Sequence, residues 1–133
     1  MTSPARPTLP ARLAAAGLLA TCLLAALPAA AGDAKAGQDV FKSECSECHS
    51  VAQGRNKKGP SLFGIVGRKS GSIEGYAYSD ALQHVGWTWS PEQLHTYLSQ
   101  PAKQANPGTK MKYDGLDNAK DLDDLLAYLA TLH

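Results

Sequence analysis

Two stretches of the chain carry small and apolar side chains at the spacing of an α-helix, and one of them lies near residue 40. Its members are Gly37, Phe41, Cys45 and Cys48. Spacings of four, four and three residues predict one face of a helix over residues 35–49. We therefore expect both cysteines at the end of this helix, facing inward.

The second stretch is the C-terminal end of the chain. Its apolar stripe consists of Leu122, Leu125, Leu126, Leu129 and Leu132. Three aspartates between residues 121 and 124 lie near the start of this stripe, where the helix dipole favours negative charge. The pattern predicts a final amphipathic helix.

Shorter helices are predicted between these two. Residues 79–86 begin with a serine that can cap a helix and end with a glycine that can stop one. Ser90 is a second N-cap candidate, with Pro91 at the first helical position, Gln93 completing a capping box and Pro101 ending the helix. Six glycines and a proline between residues 50 and 75 favour a loop-rich segment. Because no run alternates like a strand, we expect an all-α fold.

The N-terminus has the pattern of a secretory signal peptide. Arg6 and Arg12 precede an almost uncharged run over residues 13–27, and Ala29 and Ala31 are small residues suited to a cleavage site. The apolar run is shorter than the roughly 20 residues that cross a bilayer. We therefore expect residues 1–31 to be removed.

Cleavage would leave residues 32–133 as one small domain and discard Cys22. It would also remove two arginines, so that the formal charge changes from +1 to −1. No basic excess then remains that would favour nucleic acid. A domain of this size often needs a disulfide, a metal or a cofactor to supplement its core.

The motif Cys45-x-x-Cys48-His49 allows four kinds of chemistry. A disulfide between the cysteines would close a very small loop and stabilise little. A dithiol redox centre belongs at a strand-to-helix turn, which this sequence does not predict, and a zinc site needs a fourth ligand. Covalent haem attachment uses every residue of the motif, because two thiols can bind the two vinyl groups and the adjacent imidazole the iron. Export, which the signal peptide predicts, is its usual context.

A haem bound by His49 leaves a sixth position on the iron. Met111 is the only methionine after the predicted cleavage site, and it follows Pro107 and Gly108, which favour a turn. A methionine is more often a core residue than a ligand. The competing imidazoles are His84, His95 and His133. Met111 is favoured because it is the single thioether and follows a predicted loop.

Several segments together resemble the class I c-type cytochromes, and specifically the mitochondrial-type branch with its soluble bacterial relatives. They are "GDAKAGQDVFKSECSECHSV", "KGPSLFGIVGRKSG", "GYAYSDA", "WTWSPEQLHTYLSQP", "NPGTKM" and "DLLAYL". The resemblance implies a small monohaem cytochrome c fold over residues 32–133. In that fold three main helices, short helices and loops wrap around one covalent haem c.

The resemblance also implies roles for residues around the haem. The carbonyl of Pro60 would accept a hydrogen bond from the second ring nitrogen of His49. The residues matched to the buried haem propionate are Arg68, Tyr78 and Trp89. Tyr97 would lie beside the sulfur of Met111, and Thr109 would steady the same loop. Without the resemblance these residues would pass for surface charge and core aromatics.

A second set of matched residues is structural. Gly37, Phe41, Leu125 and Tyr128 match the crossing of the first and last helices. Three features depart from the family: Leu82 replaces a polar residue, Tyr113 replaces a phenylalanine at the exposed haem edge, and the loop from Pro101 to Pro107 is one residue longer. None of them removes a ligand.

With both axial positions of the iron filled, the expected function is that of a soluble periplasmic one-electron carrier rather than an enzyme. A second hypothesis is a haem enzyme or gas sensor in which Met111 is labile. A third is a zinc or dithiol protein.

The predicted partners are membrane-bound or periplasmic electron donors and acceptors that dock at the exposed haem edge. The candidate docking residues are Lys57, Lys58, Lys103, Lys110 and Lys112, although a merely solvated face is equally typical of such charges. We expect a monomer without nucleic-acid binding or stable membrane insertion.

Overall fold

The computed structural model describes residue 2 and residues 31–133, so the predicted signal peptide lies almost wholly outside the described residues. The five helices of the described part are α1 (Ala34–Glu44), α2 (Asp80–His84), α3 (Pro91–Leu98), α4 (Ala102–Ala105) and α5 (Ala119–Leu129). These residues form no strand, and one isolated antiparallel bridge joins Lys69 and Thr88. The prediction of an all-α fold is confirmed.

Helix α1 is shorter than the sequence pattern indicates. Asp33 caps its first turn, and the helix ends at Glu44 rather than at His49. The Ser46 hydroxyl donates to the Lys42 carbonyl (2.6 Å), while the Ser46 amide bonds to the Phe41 carbonyl instead. The serine side chain therefore competes with the helical hydrogen-bond pattern and ends the helix before the cysteines.

Helices α1 and α5 cross in close contact. A Cβ atom at Gly37 would overlap the backbone carbonyl of Asp124, so only glycine allows this approach. The rings of Phe41 and Tyr128 lie beside the crossing with centroids 5.7 Å apart. Leu125 is completely buried there. These contacts hold α1 against the C-terminal helix.

The predicted final helix differs from α5 in two respects. Asn118 caps it, and it ends at Leu129, so that Leu132 lies beyond the helix. Asp124 is only 3% exposed, and its carboxylate accepts the Asp33 amide (2.7 Å) and the Lys120 ammonium. The pattern placed Asp124 near the helix start for its charge and gave no sign of burial; it is buried because the N-terminal cap of α1 lies against it.

The short helices begin where their caps predict. The Ser79 hydroxyl accepts the Leu82 amide at the start of α2, and the Ser90 hydroxyl accepts the Gln93 amide at the start of α3. Helix α3 ends at Leu98, three residues before the predicted stop at Pro101. Helix α4, which the pattern did not predict, begins directly after Pro101.

The glycine-rich segment folds back over the end of α1. The Gly59 amide bonds to the Cys48 carbonyl (2.8 Å), and the Leu62 amide bonds to the Ser50 carbonyl (2.8 Å). The segment therefore forms a wall opposite α5. Within the part of the chain described, every helix is too short or too polar to cross a bilayer.

Candidate cofactor site

A cavity of about 480 Å³ lies between the turn after α1, the glycine-rich wall, α3, α5 and the segment around Met111. Nine of the ten residues that the sequence placed around a haem line it. They are Cys45, Cys48, His49, Pro60, Arg68, Tyr78, Trp89, Tyr97 and Met111. The tenth, Thr109, does not line the cavity but accepts a hydrogen bond from the backbone amide of Met111. Residues separated by up to 66 positions in sequence thus meet at one cavity.

Cys45 and Cys48 occupy the tight turn that follows α1. The amides of Cys48 and His49 both bond to the Cys45 carbonyl, at 3.1 Å and 2.9 Å. Both sulfurs are free thiols rather than a disulfide. Burial raises the pKa of the Cys45 thiol to about 12. A raised thiol pKa disfavours the thiolate form in which a cysteine binds a metal.

The His49 ring has one nitrogen fixed by the backbone. Its Nδ1 lies 2.8 Å from the Pro60 carbonyl oxygen, which requires the proton to be on Nδ1. A Cβ atom at Gly59 would overlap the ring, so only glycine leaves room for the imidazole in this position. Burial lowers the pKa of His49. The ring is therefore held neutral, with the Nε2 lone pair available to a metal.

Met111 lines the cavity from a different segment. Its sulfur lies 3.5 Å from the Tyr97 hydroxyl, which donates to it. Its backbone amide donates to the Thr109 hydroxyl (3.2 Å). Burial raises the pKa of Tyr97, so the phenol keeps its proton for this contact. One hydrogen bond to the sulfur therefore orients the thioether, and a second, donated by the backbone amide of Met111, holds its segment.

A polar corner of the cavity contains Arg68 and Tyr78. The half-buried Arg68 guanidinium donates to the Phe63 carbonyl (3.1 Å), and burial lowers its pKa. No carboxylate of the described residues forms an ion pair with it. The Tyr78 hydroxyl accepts the Ile73 amide (3.3 Å), which leaves its own proton available for donation. This corner suits a carboxylate of a bound group.

The competing histidines lie elsewhere. His84 is exposed, with its Nδ1 2.9 Å from the Asp80 carbonyl, and His95 is exposed on α3. Neither they nor His133 line the cavity. Within the described residues, no cluster of three histidine, cysteine or acidic side chains could hold a metal ion.

The lysines proposed for docking do not form one uniform ring. Lys58, Lys110 and Lys112 line the cavity, whereas Lys57 and Lys103 do not. Lys58 forms an ion pair with Glu47 (2.8 Å), and the Lys57 ammonium donates to the Ser46 carbonyl (2.5 Å).

A second cavity, of about 210 Å³, shares lining residues with the first. Its lining consists of Pro101, Lys103, Lys112, Tyr113 and Asp114. Lys112 and Tyr113 thus line both cavities.

Several wall residues were missed by sequence reasoning. The apolar ones are Leu62, Ile65, Leu94, Leu98 and Leu129. The leucines of α3 and α5 could have been predicted as wall residues, because they lie on the inner faces of predicted helices. Tyr76 could not have been predicted from the sequence. Its hydroxyl donates to the Lys58 carbonyl (2.7 Å) across a loop whose path the sequence does not specify.

These features together match a covalently bound haem. Two unpaired thiols, an oriented imidazole and an oriented thioether face one cavity, and a guanidinium without an anionic partner lies in its polar corner. The rest of the wall is mostly apolar. A macrocycle with two reactive vinyl groups, a metal and two carboxylates has the complementary chemistry.

Comparison with known proteins gives the same assignment. The family model "Cytochrome c" matches residues 34–133. The chain is 50% identical to cytochrome c of Gibberella zeae over 101 residues, covering 75% of this chain and 94% of that one. It is 44% identical to cytochrome c of Euglena viridis, covering 76% of this chain and 98% of that one.

A solved structure agrees with these relatives. Cytochrome cH from Methylobacterium extorquens superimposes with a TM-score of 0.69 at 44% identity, covering 75% of this chain and 99% of that one. The chain belongs to the cytochrome c family of electron carriers, class I c-type cytochromes that bind one covalently attached haem c with iron.

Proposed function

We propose that this protein is a one-electron carrier in which Cys45 and Cys48 hold the haem through thioethers and His49 and Met111 are the axial ligands. The proposal rests on one observation. The side chains of His49 and Met111 line the same cavity, and each is oriented by its own hydrogen bond. When bound, the haem supplies a couple between Fe(II) and Fe(III).

Hydrogen bonds to the two proposed ligands influence the reduction potential of that couple. The Pro60 carbonyl holds the proton on Nδ1 of His49 and makes Nε2 a better donor. The Tyr97 hydroxyl donates to the Met111 sulfur and reduces its electron density. A thioether ligand and an apolar wall both favour the reduced state, so we expect a potential well above zero.

The polar corner has the separate task of holding a carboxylate inside the protein. Arg68 contributes a cation and Tyr78 a free hydroxyl proton, while the buried Trp89 excludes water from the same side of the cavity. A carboxylate in a poorly solvated place needs such donors. We propose that these three residues bind or shield the inner haem propionate.

Two axial ligands from the protein leave no open position for a substrate. Electron transfer therefore follows from the ligand set, and an enzyme or gas sensor would require that Met111 leave. The test is the weak far-red absorption band that sulfur-to-iron charge transfer gives in the oxidised holoprotein. We expect the band in wild type and in the control His95→Gln, and its loss in Met111→Ala together with carbon monoxide binding to the reduced form.

Two results would refute parts of this proposal. A wild-type protein without this band that binds carbon monoxide readily at neutral pH would refute the ligand set and favour the sensor or enzyme. A haem that acid and acetone extract would refute the thioethers of Cys45 and Cys48.

We also propose that the carrier works in the periplasm after removal of residues 1–31. The partners would be periplasmic or membrane-bound donors and acceptors with acidic docking sites. Cell fractionation and the N-terminal sequence of the purified protein test the location: Gly32 as the first residue supports it, and an intact N-terminus in the cytoplasm contradicts it.

Docking would use the side of the cavity on which lysine charge is not neutralised. Glu47 pairs with Lys58, whereas Lys112 is exposed and forms no ion pair among the described residues. Electrostatic steering then predicts a lower association rate at low salt for Lys112→Gln and a higher one for Glu47→Gln. Lys35, which lines neither cavity, gives the control Lys35→Gln. Equal rates for all variants at low salt would contradict lysine docking.

A further inference from the structure

Three aromatic residues connect the cavity to the protein surface. The ring centroids of Tyr97 and Trp89 lie 5.1 Å apart, those of Trp89 and Trp87 5.7 Å, and those of Tyr97 and Trp87 6.0 Å. All three pairs are edge-to-face, with interplanar angles of 66–73°. The hydroxyl of Tyr97 lies 3.5 Å from the Met111 sulfur.

The three residues differ in burial. Tyr97 is 4% and Trp89 8% exposed, and both line the cavity. Trp87 is only partly buried, does not line the cavity, and has the exposed residues Gly86 and Thr88 on either side. Trp87 is thus the outer end of an aromatic path whose inner end lies at the proposed iron ligand.

The backbone fixes this outer end. The Ser70 amide donates to the Trp87 carbonyl, and the Trp89 amide donates to the Arg68 carbonyl, both at 2.8 Å. Packing alone explains Trp89 and Tyr97, which fill the core. Trp87 packs partly against the same core and is the least buried of the three rings.

Tryptophan and tyrosine are oxidised more easily than other aromatic side chains. Because electron tunnelling weakens steeply with distance, rings in contact allow rapid stepwise transfer, whereas a single step from cavity to surface is slow. Ordinary carriers of intermediate potential cannot oxidise these rings, so the path would operate only with a strong oxidant such as a peroxide.

We propose that Tyr97, Trp89 and Trp87 form a discharge path that moves oxidising equivalents from the haem cavity to Trp87 when hydrogen peroxide oxidises the holoprotein. Peroxide would receive one electron from the reduced haem and a second electron from Trp87 through Trp89 and Tyr97. Trp87 loses its indole proton and becomes a neutral radical, and solvent supplies a second proton. Peroxide and the two protons give two waters, and Trp89 and Tyr97 end unchanged.

The path has a protective consequence. A radical confined to Trp89 or Tyr97 would react beside the haem and the Met111 sulfur. A radical on Trp87 lies where small reductants in solvent can reduce it. The inference rests on the haem occupying the cavity as proposed, but it does not depend on which redox partners the carrier serves.

The experiment uses reduced holoprotein, hydrogen peroxide and a nitroso spin trap, with peptide mapping by mass spectrometry and haem absorbance recorded in parallel. Trp87→Phe keeps an aromatic ring that resists oxidation, Trp87→Tyr restores an oxidisable one, and Tyr128→Phe is a control outside the path. The spectrum of each variant before peroxide shows whether haem binding and iron ligation are intact, which separates failure of the path from failure of the proposed function.

We expect the wild-type adduct mainly at residue 87. In Trp87→Phe the adduct should move to Trp89 and Tyr97, with a several-fold faster loss of haem absorbance. Trp87→Tyr should restore the wild-type rate, and Tyr128→Phe should not change it. The path is refuted if Trp87 of the wild type carries no adduct, if Trp87→Phe loses haem at the wild-type rate, or if Trp87→Tyr fails to restore it.

Discussion

Replacement of Tyr113 by phenylalanine should stabilise the protein. The Tyr113 hydroxyl is buried and has no hydrogen-bond partner in the part of the chain described, although the ring itself is only partly buried. An unsatisfied buried hydroxyl costs about 1–3 kcal/mol. Tyr113→Phe removes that group and keeps the ring that lines both cavities. We expect the free energy of unfolding to rise by about 1 kcal/mol, which for a domain of this size raises Tm by roughly 4–8 °C.

The same hydroxyl should make stability sensitive to high pH. Burial raises the pKa of Tyr113 to about 12 from its ordinary value of 10.0. Between these values the unfolded chain releases the phenol proton while the folded protein keeps it, so stability falls as pH rises through this range. Tyr113→Phe should therefore lose less stability than wild type between neutral pH and the alkaline range.

Guanidinium unfolding of the oxidised holoprotein, followed by circular dichroism at a series of pH values, measures both effects. Tyr128→Phe is the matched control, because it removes a tyrosine hydroxyl that is absent from the cavity walls and from the buried unpaired groups. A Tyr113→Phe protein that is less stable than wild type at neutral pH would refute the reasoning, since it would reveal a partner for the hydroxyl.

Two further substitutions test other buried contacts, one beside the His49 ring and one where α5 meets the start of α1. Gly59→Ala places a methyl group against the His49 ring, so we expect displacement of the imidazole, a longer contact with the Pro60 carbonyl and a loss of about 1–3 kcal/mol in unfolding free energy; an unchanged histidine NMR spectrum and unchanged stability would contradict this. The pKa of Asp124 is lowered by the hydrogen bond from Lys120 and then by the Asp33 amide, so its stabilisation is present above the ordinary carboxyl pKa of 3.8 and is lost as pH falls below it. Asp124→Asn should therefore destabilise the protein at neutral pH and converge with wild type in acid, as urea unfolding at several pH values would measure; a constant difference across that range would rule out the carboxylate as the cause.

Local chemistry predicted where helices begin better than where they end. Ser79 and Ser90 cap α2 and α3 because a serine hydroxyl meets the amide three residues on, which depends only on neighbouring positions. The end of α1 depends on a choice between two hydrogen bonds at Ser46, and spacing alone cannot decide it. Likewise the burial of Asp124 depends on the Asp33 amide, 91 residues away in sequence.

The cavity residues also divide into those that a local motif predicts and those that it does not. Cys45, Cys48 and His49 form a local motif with a chemical reason for each residue, so their meeting at one wall was predictable from the sequence. Arg68 and Trp89 were identified only through the family resemblance, because an arginine and a tryptophan in a loop-rich chain have many ordinary uses. Helix α4 was missed because a four-residue helix after a proline leaves no periodic pattern to detect.

The two proposed ligands are held by unequal numbers of contacts. The His49 ring has a 2.8 Å hydrogen bond from Nδ1, a glycine fitted against it and a backbone amide bound within the turn after α1. The Met111 sulfur has one long contact with Tyr97, and its segment also carries the unsatisfied hydroxyl of Tyr113. Segments with fewer and weaker contacts open at lower free energy. Opening of the cavity should therefore begin at Met111 while His49 stays in place, and the hydroxyl of Tyr113, which gains water when the segment moves, lowers the cost of that opening.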